Sequence, residues 1–343
     1  MKGSLVAFDT VNGREAAALM VDGVLTDLLI DPPEDRIRPG AIYHARAGRQ
    51  MKGQGGVVLE TPDGPLFLRQ AKGIAPGQSI LVQASTFAER DKAAPATSRV
   101  VFKSRFALIT PGAPGLNVSR SIRDEERRVA LTDLAADLHD TSLGGLILRS
   151  LAEDAEDEAV ADDIVALTRV AAAVLGDPLT GAPARLLDGP GAHETALRDW
   201  AAPDMSDTEE GSFARHGIDD AIDRVRRAEQ SLGAGASVVI EPTRALVAVD
   251  VNTGADTSPA AGLKANIAAA RALPRLLALK GLGGQIVVDM APMPKRDRVR
   301  VEQQIKSAFR SDAVETSFVG WTPLGHAELQ RKRARLSLEE LLT

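Results

Sequence analysis

The chain contains no cysteine, which excludes disulfide bonds, thiolate zinc sites and a cysteine nucleophile and accords with a reducing compartment. Any metal must therefore be held by oxygen or imidazole. The five histidines, His44, His139, His193, His216 and His326, show no metal-ligand spacing and read as structural or surface residues. No apolar run approaches the roughly 18 residues of a membrane span. The opening MKGSLVAFDTVNGREA also lacks the basic start and long apolar stretch of a signal peptide. A cytoplasmic protein without a membrane partner is the expectation. A uniformly basic coat is missing too, because the formal net charge is −6.

What is present is a chain of 343 residues, 44% of them hydrophobic, long enough for two or three small domains with cores of their own. Charge is uneven along it. EDAEDEAVADD (153–163) is strongly acidic, whereas residues 290–335 hold ten Lys/Arg against five Asp/Glu, although such runs also arise as solvated helix faces. The start alternates in period two, with Asn-Gly and Asp-Gly marking turns between short antiparallel strands. From about 39 to 104, short strands punctuated by Gly and Pro suit a small β-barrel, an OB-like barrel being one of several options.

Helical period takes over from 122, in RDEERRVALTDLAADL and EDEAVADDIVALTRVAAAVL, with the strand candidate LGGLILRS between them. The Pro-, Gly- and acid-rich stretch 176–211 reads as a poorly packed connection near a domain boundary. Beyond it the pattern predicts a helix over 212–231, strands near 237–241 and 245–251, and a helical segment over 259–281 that Pro274 kinks or splits. It then predicts a strand at 284–290, a helix at 296–310, a strand at 314–319 and a last helix over 323–342. No internal repeat is visible.

A strand, a helical crossover and a second strand make a right-handed βαβ unit with parallel strands. Here LVAVD ends in Asp250 and QIVVD ends in Asp289, so each strand carries an acid at its carboxyl end, the edge where open α/β sheets bind ligands. If the strands are neighbours, roughly 4.8 Å apart, the two carboxylates repel unless a cation or proton lies between them. Asp250 and Asn252 share a face because side chains alternate. Two carboxylates and an amide oxygen, with no Cys or His spaced as ligands, favour Mg²⁺ or Mn²⁺ over zinc, and with them metal-assisted hydrolysis of a phosphodiester. An acid just past a strand also caps the turn that follows, so the matched pair carries more weight than either acid alone.

VVIEPTRALVAVDVNTG, then LGGQIVVDM, then LGHAELQRKRARLSL resemble the catalytic core of the bacterial ribonuclease E/G family, metal-dependent endoribonucleases of single-stranded RNA. The likeness is dense from about 237 to 338. It recurs more weakly in ALITPGAPGLNVSRSI, LGGLILRS and GAIYHARAGR. The resemblance implies an α/β, multi-subdomain α+β fold, with DNase I-like and reduced RNase H-like subdomains, an inserted OB-fold β-barrel and a 5′-sensor domain. By it, 1–38 opens the RNase H-like part and 39–104 is the barrel. Residues 105–211 are the sensor ending in a loose linker, 212–235 return to the RNase H-like part, and 236–343 are the DNase I-like catalytic subdomain.

The same resemblance places the metal-binding acids on Asp250 and Asp289 and the supporting amide on Asn252, with Mg²⁺ the implied ion, Mn²⁺ an alternative and products ending in a 5′-phosphate and a 3′-hydroxyl. It puts 5′-phosphate binding on Arg149 and Ser150, with Arg120 a further candidate; a guanidinium fork and a hydroxyl suit a phosphate. Ser150 stands where the family has Thr. Phe67 matches an RNA-stacking position but reads equally as core, and Val57 replaces the other usual aromatic, so thinner stacking follows. Lys295, Arg296, Arg298 and Arg300 after the second acid, and Arg331, Lys332, Arg333 and Arg335 on the last helix, supply positive charge for an RNA backbone.

Three departures stand out. The segment before the catalytic strands looks shortened. Pro292 replaces an acid three residues after Asp289. The sequence stops at SLEELLT, before the family's cysteine-bearing zinc link and small oligomerisation domain, so no zinc is expected and a monomer, or a dimer not based on a zinc link, is. The reading is an endoribonuclease of RNA processing or decay, rRNA processing included. Its rival is a catalytically weak or inactive RNA-binding protein of the same family; a phosphohydrolase of small molecules explains the acids but not the barrel.

Overall fold

The computed structural model describes every residue except Met1, Lys52, Gln54, Gln70, Arg90, Asp91 and Pro259. The last of the barrel-segment motif PLFLRQ and the first residue of the helical segment expected from 259 thus lie outside the described residues. The chain divides into two compact units, Pro33–Ala202 and the pairing of Met1–Pro32 with Pro203–Thr343. Among the described residues the strands form four sheets interspersed with helices, a mixed α/β protein.

In the unit Pro33–Ala202, strands Ile42–Met51, Gly56–Glu60, Leu66–Leu68, Ser79–Ala84 and Ala94–Thr97 close into a five-stranded barrel. The first strand pairs with both the second and the fourth, and the third runs parallel to the fifth, an order consistent with an OB-like fold. Period two explains the closure. Tyr43, Ala45 and Ala47, Val57 and Leu59, Leu66 and Leu68, and Val82 and Ala84 all point inward and are buried. The long first strand bends at a bulge between Ala47 and Gln50, where a Cβ on Gly48 would stand 2.9 Å from the Val58 carbonyl oxygen.

The same unit holds a second sheet, Leu116–Val118, Gly145–Leu148, Ala107–Thr110 and Phe102–Lys103, packed with helices Glu125–Leu138 and Asp157–Leu175 around Leu131, Leu146, Leu148 and Ile164. Asp124 caps the first helix by accepting from the Arg127 amide. The stretch 176–211 is not the poorly packed connection its composition suggests. It contains strand Ala184–Leu187, paired with Ile42–Met51, and helix Ala192–Asp199, and Trp200 is buried.

In the other unit, Ser4–Val11, Arg14–Val21 and Val24–Ile30 form the expected antiparallel meander. Its turns have positive φ at Asn12, Gly13, Asp22 and Gly23, the geometry that Asn-Gly and Asp-Gly provide. Met205–Asp207 joins it in parallel beside Ser4–Val11. The helix expected over 212–231 is instead two short helices, Ser212–Arg215 and Ile218–Arg226, separated at Gly217 (φ 65), and strand Glu229–Gly233 follows.

The second sheet of this unit has the order Glu229–Gly233, Ala236–Pro242, Val247–Asn252, Gly284–Asp289, Ala327–Arg331, Thr316–Trp321. Only Val247–Asn252 and Gly284–Asp289 are parallel, joined by the crossover helix Ala261–Leu279. That helix is continuous through Pro274. Burial of Ala269, Ala270, Leu273, Leu276 and Leu277 around the proline, at about 1.5–3 kcal/mol for each leucine, outweighs the one hydrogen bond it cannot donate. Helices Ala261–Leu279 and Arg298–Phe309 cover the face made by Val238, Ile240, Val249, Ile286, Val288 and Leu329. The alternate residues of the same strands make the other face, where Asp250, Asn252, Gln285 and Asp289 are exposed.

The expected last helix over 323–342 is a correction. Residues Ala327–Arg331 form a strand between Gly284–Asp289 and Thr316–Trp321, and only Leu338–Leu342 is helical. Ala327, Leu329 and Arg331 alternate inward, and the arginine among them hides the period-two pattern.

Candidate active site

Asp250, two residues before the end of Val247–Asn252, and Asp289, the last residue of Gly284–Asp289, lie on neighbouring parallel strands and are direct register partners. Both are on the face that carries no helix, because the preceding Val249 and Val288 point into the core and side chains alternate. They border an open basin of about 270 Å³ whose lining includes Val239, Glu241, Leu246, Ala248, Val287 and His326. Asn252 shares the face, and its Nδ2 donates to Asp250 Oδ2 at 2.8 Å. The structure thus brings these three residues together.

It adds one that no local sequence pattern singles out. His326 Nδ1 lies 3.2 Å from Asp289 Oδ1, with the imidazole 28% and the carboxylate 65% exposed. Histidine spacing could not reveal this, because the contact depends on Ala327 pairing with Val288 across two antiparallel strands. Behind Asp289 the backbone is pinned: buried Asn266 donates to the Ala291 carbonyl and accepts from the Ala291 amide, both at 2.9 Å. Gly262 faces the Pro292 carbonyl so closely that any Cβ would collide with it.

Lys295 and Arg296 are exposed in the 3₁₀ turn Lys295–Asp297 that follows Asp289. Arg298 opens the next helix, lies over the Trp321 ring at 5.3 Å and packs on Gly325, the residue before His326. Arg331 and Arg333 do not join them. Arg331 pairs with Gly284, the opposite end of the strand from Asp289, some five residues or roughly 16 Å away. Its side chain is 1% exposed and bonded to Asp312 and Thr316, a buried ion pair whose rupture costs about 3–5 kcal/mol, so its charge serves the fold rather than a surface. Arg333 packs across Gly284 at that same end.

The residues assigned to the RNA 5′ end lie in the unit Pro33–Ala202. Arg149 is largely enclosed: Nη1 donates to the carbonyls of Ser104, Arg105 and Arg198, and Nη2 to Asp199 Oδ1 at 2.8 Å. Lys103 and Arg198 hold the same carboxylate, each at 2.8 Å. Burial pushes Asp199 up, but the hydrogen bonds from Arg198 and Lys103 prevail and bring it down to about 2. Burial lowers Lys103, against the pull of Asp199. Ser150 is exposed at the start of a 3₁₀ turn, and Arg120 is exposed in a turn. Phe67 is on the outer side of the barrel, between inward Leu66 and Leu68, with its ring against Gly56. Val57 is fully buried inside.

A divalent cation fits the donor set at Asp250 and Asp289. Among the described residues no group of three or more His, Asp or Glu side chains is gathered closely enough to hold an ion unaided. Mg²⁺ ordinarily uses one or two carboxylates and completes its shell with water and substrate phosphate. Among the described residues, no helix is long and apolar enough to cross a membrane.

Comparison with known proteins gives the chain its relatives. The sequence model of the Ribonuclease E/G family matches residues 101–209 and 203–334. Ribonuclease G of Salmonella typhimurium (strain SL1344) is 28% identical over 398 aligned positions, covering 97% of this chain and 80% of that protein. That alignment is longer than the chain, so stretches of the relative have no counterpart here. Ribonuclease G of Haemophilus influenzae is 30% identical over 78% of this chain and 62% of its own length. Ribonuclease E of Nostoc sp. is 28% identical over 83% of this chain and 48% of its own.

Proposed function

Because the chain belongs to the ribonuclease E/G family, we propose that it is an endoribonuclease of RNA processing or decay. It hydrolyses phosphodiester bonds of single-stranded RNA, with Mg²⁺, or Mn²⁺ in its place, held by Asp250 and Asp289. The relatives' names, ribonuclease G and ribonuclease E, support an RNA-hydrolysing enzyme. The observation that carries the finer reading is the register pairing of the two aspartates on an open sheet face. Adjacent carboxylates repel, and a cation between them relieves the repulsion.

A bound divalent ion supplies positive charge for a phosphate and acidifies a water. The chain's own residues do the rest. Asn252 fixes the rotamer of Asp250 through its hydrogen bond. Lys295, Arg296 and Arg298, following from the same strand end, attract the RNA backbone. Val239, Leu246 and Val287 give the basin an apolar floor that suits an unstacked base, which a duplex does not offer. A grip on the 5′-phosphate by Arg149, Ser150 and Arg120 would have to replace Asp199 on the Arg149 guanidinium.

The test is cleavage of a fluorescent single-stranded RNA, with its duplex as control, in Mg²⁺ and in EDTA, by the wild type and Asp250→Asn. Metal-dependent cutting of the single strand that the variant loses is the expected result. Equal activity of the two proteins would sink the reading, and tight, salt-sensitive binding without cutting would leave an RNA-binding protein.

A further inference from the structure

Each of the paired carboxylates has one oxygen beside a neighbouring nitrogen. Asn252 Nδ2 donates to Asp250 Oδ2 at 2.8 Å, and His326 Nδ1 stands 3.2 Å from Asp289 Oδ1. Among the described residues no other side chain is bonded to either carboxylate. Asp250 Oδ1 and Asp289 Oδ2 are therefore the oxygens that remain, one from each strand.

The backbone of His326 is held for this. Its amide donates to Thr322 Oγ1 at 3.0 Å, the Thr322 amide donates to its carbonyl at 2.9 Å, and Gly325 (φ 100) permits the tight turn between them. The next residue, Ala327, is the register partner of Val288. Both of those point into the core, so His326 and Asp289 point together to the open face. The Nδ1 atom is buried and has no aligned hydrogen-bond partner. A buried ring nitrogen in that position is satisfied by rotation of the imidazole that brings an Nδ1–H into line with the carboxylate oxygen already beside it.

We propose that His326 is a positioning residue for Asp289, matching what Asn252 does for Asp250, so that the two aspartates present one oxygen each to a divalent cation. The inference rests on the metal reading above. It assigns the imidazole no place as a ligand, in keeping with the absence of a three-residue cage among the described residues. Partners of this kind, which orient a ligating carboxylate, typically alter metal affinity by about 10–100-fold when removed.

The experiment needs no RNA. Free Mn²⁺ is titrated by electron paramagnetic resonance against the wild type, His326→Leu and His326→Asn, with circular dichroism and the thermal midpoint confirming the fold. His326→Ala stands in should the leucine variant misfold. The leucine variant is expected to bind Mn²⁺ about 10–100-fold more weakly. The asparagine variant, whose Nδ2 falls near the position of the imidazole Nδ1, is expected to recover most of the loss. Wild-type affinity in the leucine variant would overturn the proposal while leaving the metal reading intact. So would an asparagine variant as weak as the leucine one, or an imidazole ¹⁴N coupling in the bound Mn²⁺ spectrum, which would make His326 a ligand. No Mn²⁺ binding by the wild type would overturn both.

Discussion

Asp250 and Asp289 stand exposed on one sheet face, each with a single neighbouring side-chain nitrogen among the described residues, whereas Asp199 divides its two oxygens among Lys103, Arg149 and Arg198. Both regions concentrate charge, and the family resemblance points to both. They differ in what the charges still lack. Around Asp199 the cations and the carboxylate satisfy one another and three backbone carbonyls besides, so the cluster stitches the turn Ser104–Arg105 to the end of helix Ala192–Asp199. At Asp250 and Asp289 like charges face each other, and among the described residues no Lys or Arg pairs with either. Unmet electrostatics mark a place for a ligand; met electrostatics mark a place where the fold is held.

The contrast can be broken most sharply by exchanging readouts. Asp289→Asn is expected to lower RNA cleavage at least about 100-fold, beyond the effect of losing an outer partner, while leaving the thermal midpoint within a degree or two because the side chain is exposed. Arg149→Ala should do the reverse. It should cost about 2–3 kcal/mol in urea unfolding, as expected for losing charged hydrogen bonds in a largely enclosed site, with single-turnover cleavage of a 5′-monophosphorylated RNA little changed. A collapse of that cleavage in folded Arg149→Ala would show that the second cluster is functional after all.

Acid sharpens the same difference. The folded Asp199 carboxyl is held at about 2 against roughly 3.9 in an unfolded chain, so its stabilisation is complete above about pH 4 and is lost as pH falls toward 2. That contribution is on the order of 2 kcal/mol. Asp199→Asn should therefore be less stable at neutral pH yet lose less between pH 4 and pH 2, measured by urea midpoints across that window. A variant whose curve runs parallel to the wild type would show that Asp199 does not carry the acid sensitivity.

Smaller effects are expected at the RNA. With Arg149 engaged internally, the wild type should favour a 5′-monophosphorylated over a 5′-hydroxyl substrate by less than about threefold, a margin under 1 kcal/mol, and a preference of tenfold or more would show that phosphate displaces Asp199. Lys295→Ala should weaken binding uniformly across sequences and reduce the salt slope by about one. An unchanged slope would remove that residue from the RNA path.

The acid pair was legible because three local signals agree: alternation in LVAVD and QIVVD, a helical segment of crossover length, and an acid closing each of those two runs. Other parts were hidden for physical reasons. Ala327–Arg331 reads as polar helix because the inward position 331 holds an arginine that is acceptable in the core only with Asp312 and Thr316 beside it, and both partners are distant in sequence. Ala184–Leu187 and Ala192–Asp199 were masked by prolines and glycines whose turns leave the elements between them intact. His326 was illegible since nothing local relates it to Asp289; only the register of a strand itself misread as helix does so.

That register has a further consequence. Asp250 and Asp289 reach the same side because each sits an even number of residues from its open-face neighbours, Ala248 and Val287. The site is thus encoded by parity as much as by residue type. One residue inserted within Gly284–Asp289 would send the carboxylate into the apolar interior and turn a valine outward, and two would restore the side but carry the acid about 6.6 Å along the strand. Substitution can tune this chemistry by degrees, whereas changes of length in these two short strands admit no partial outcome.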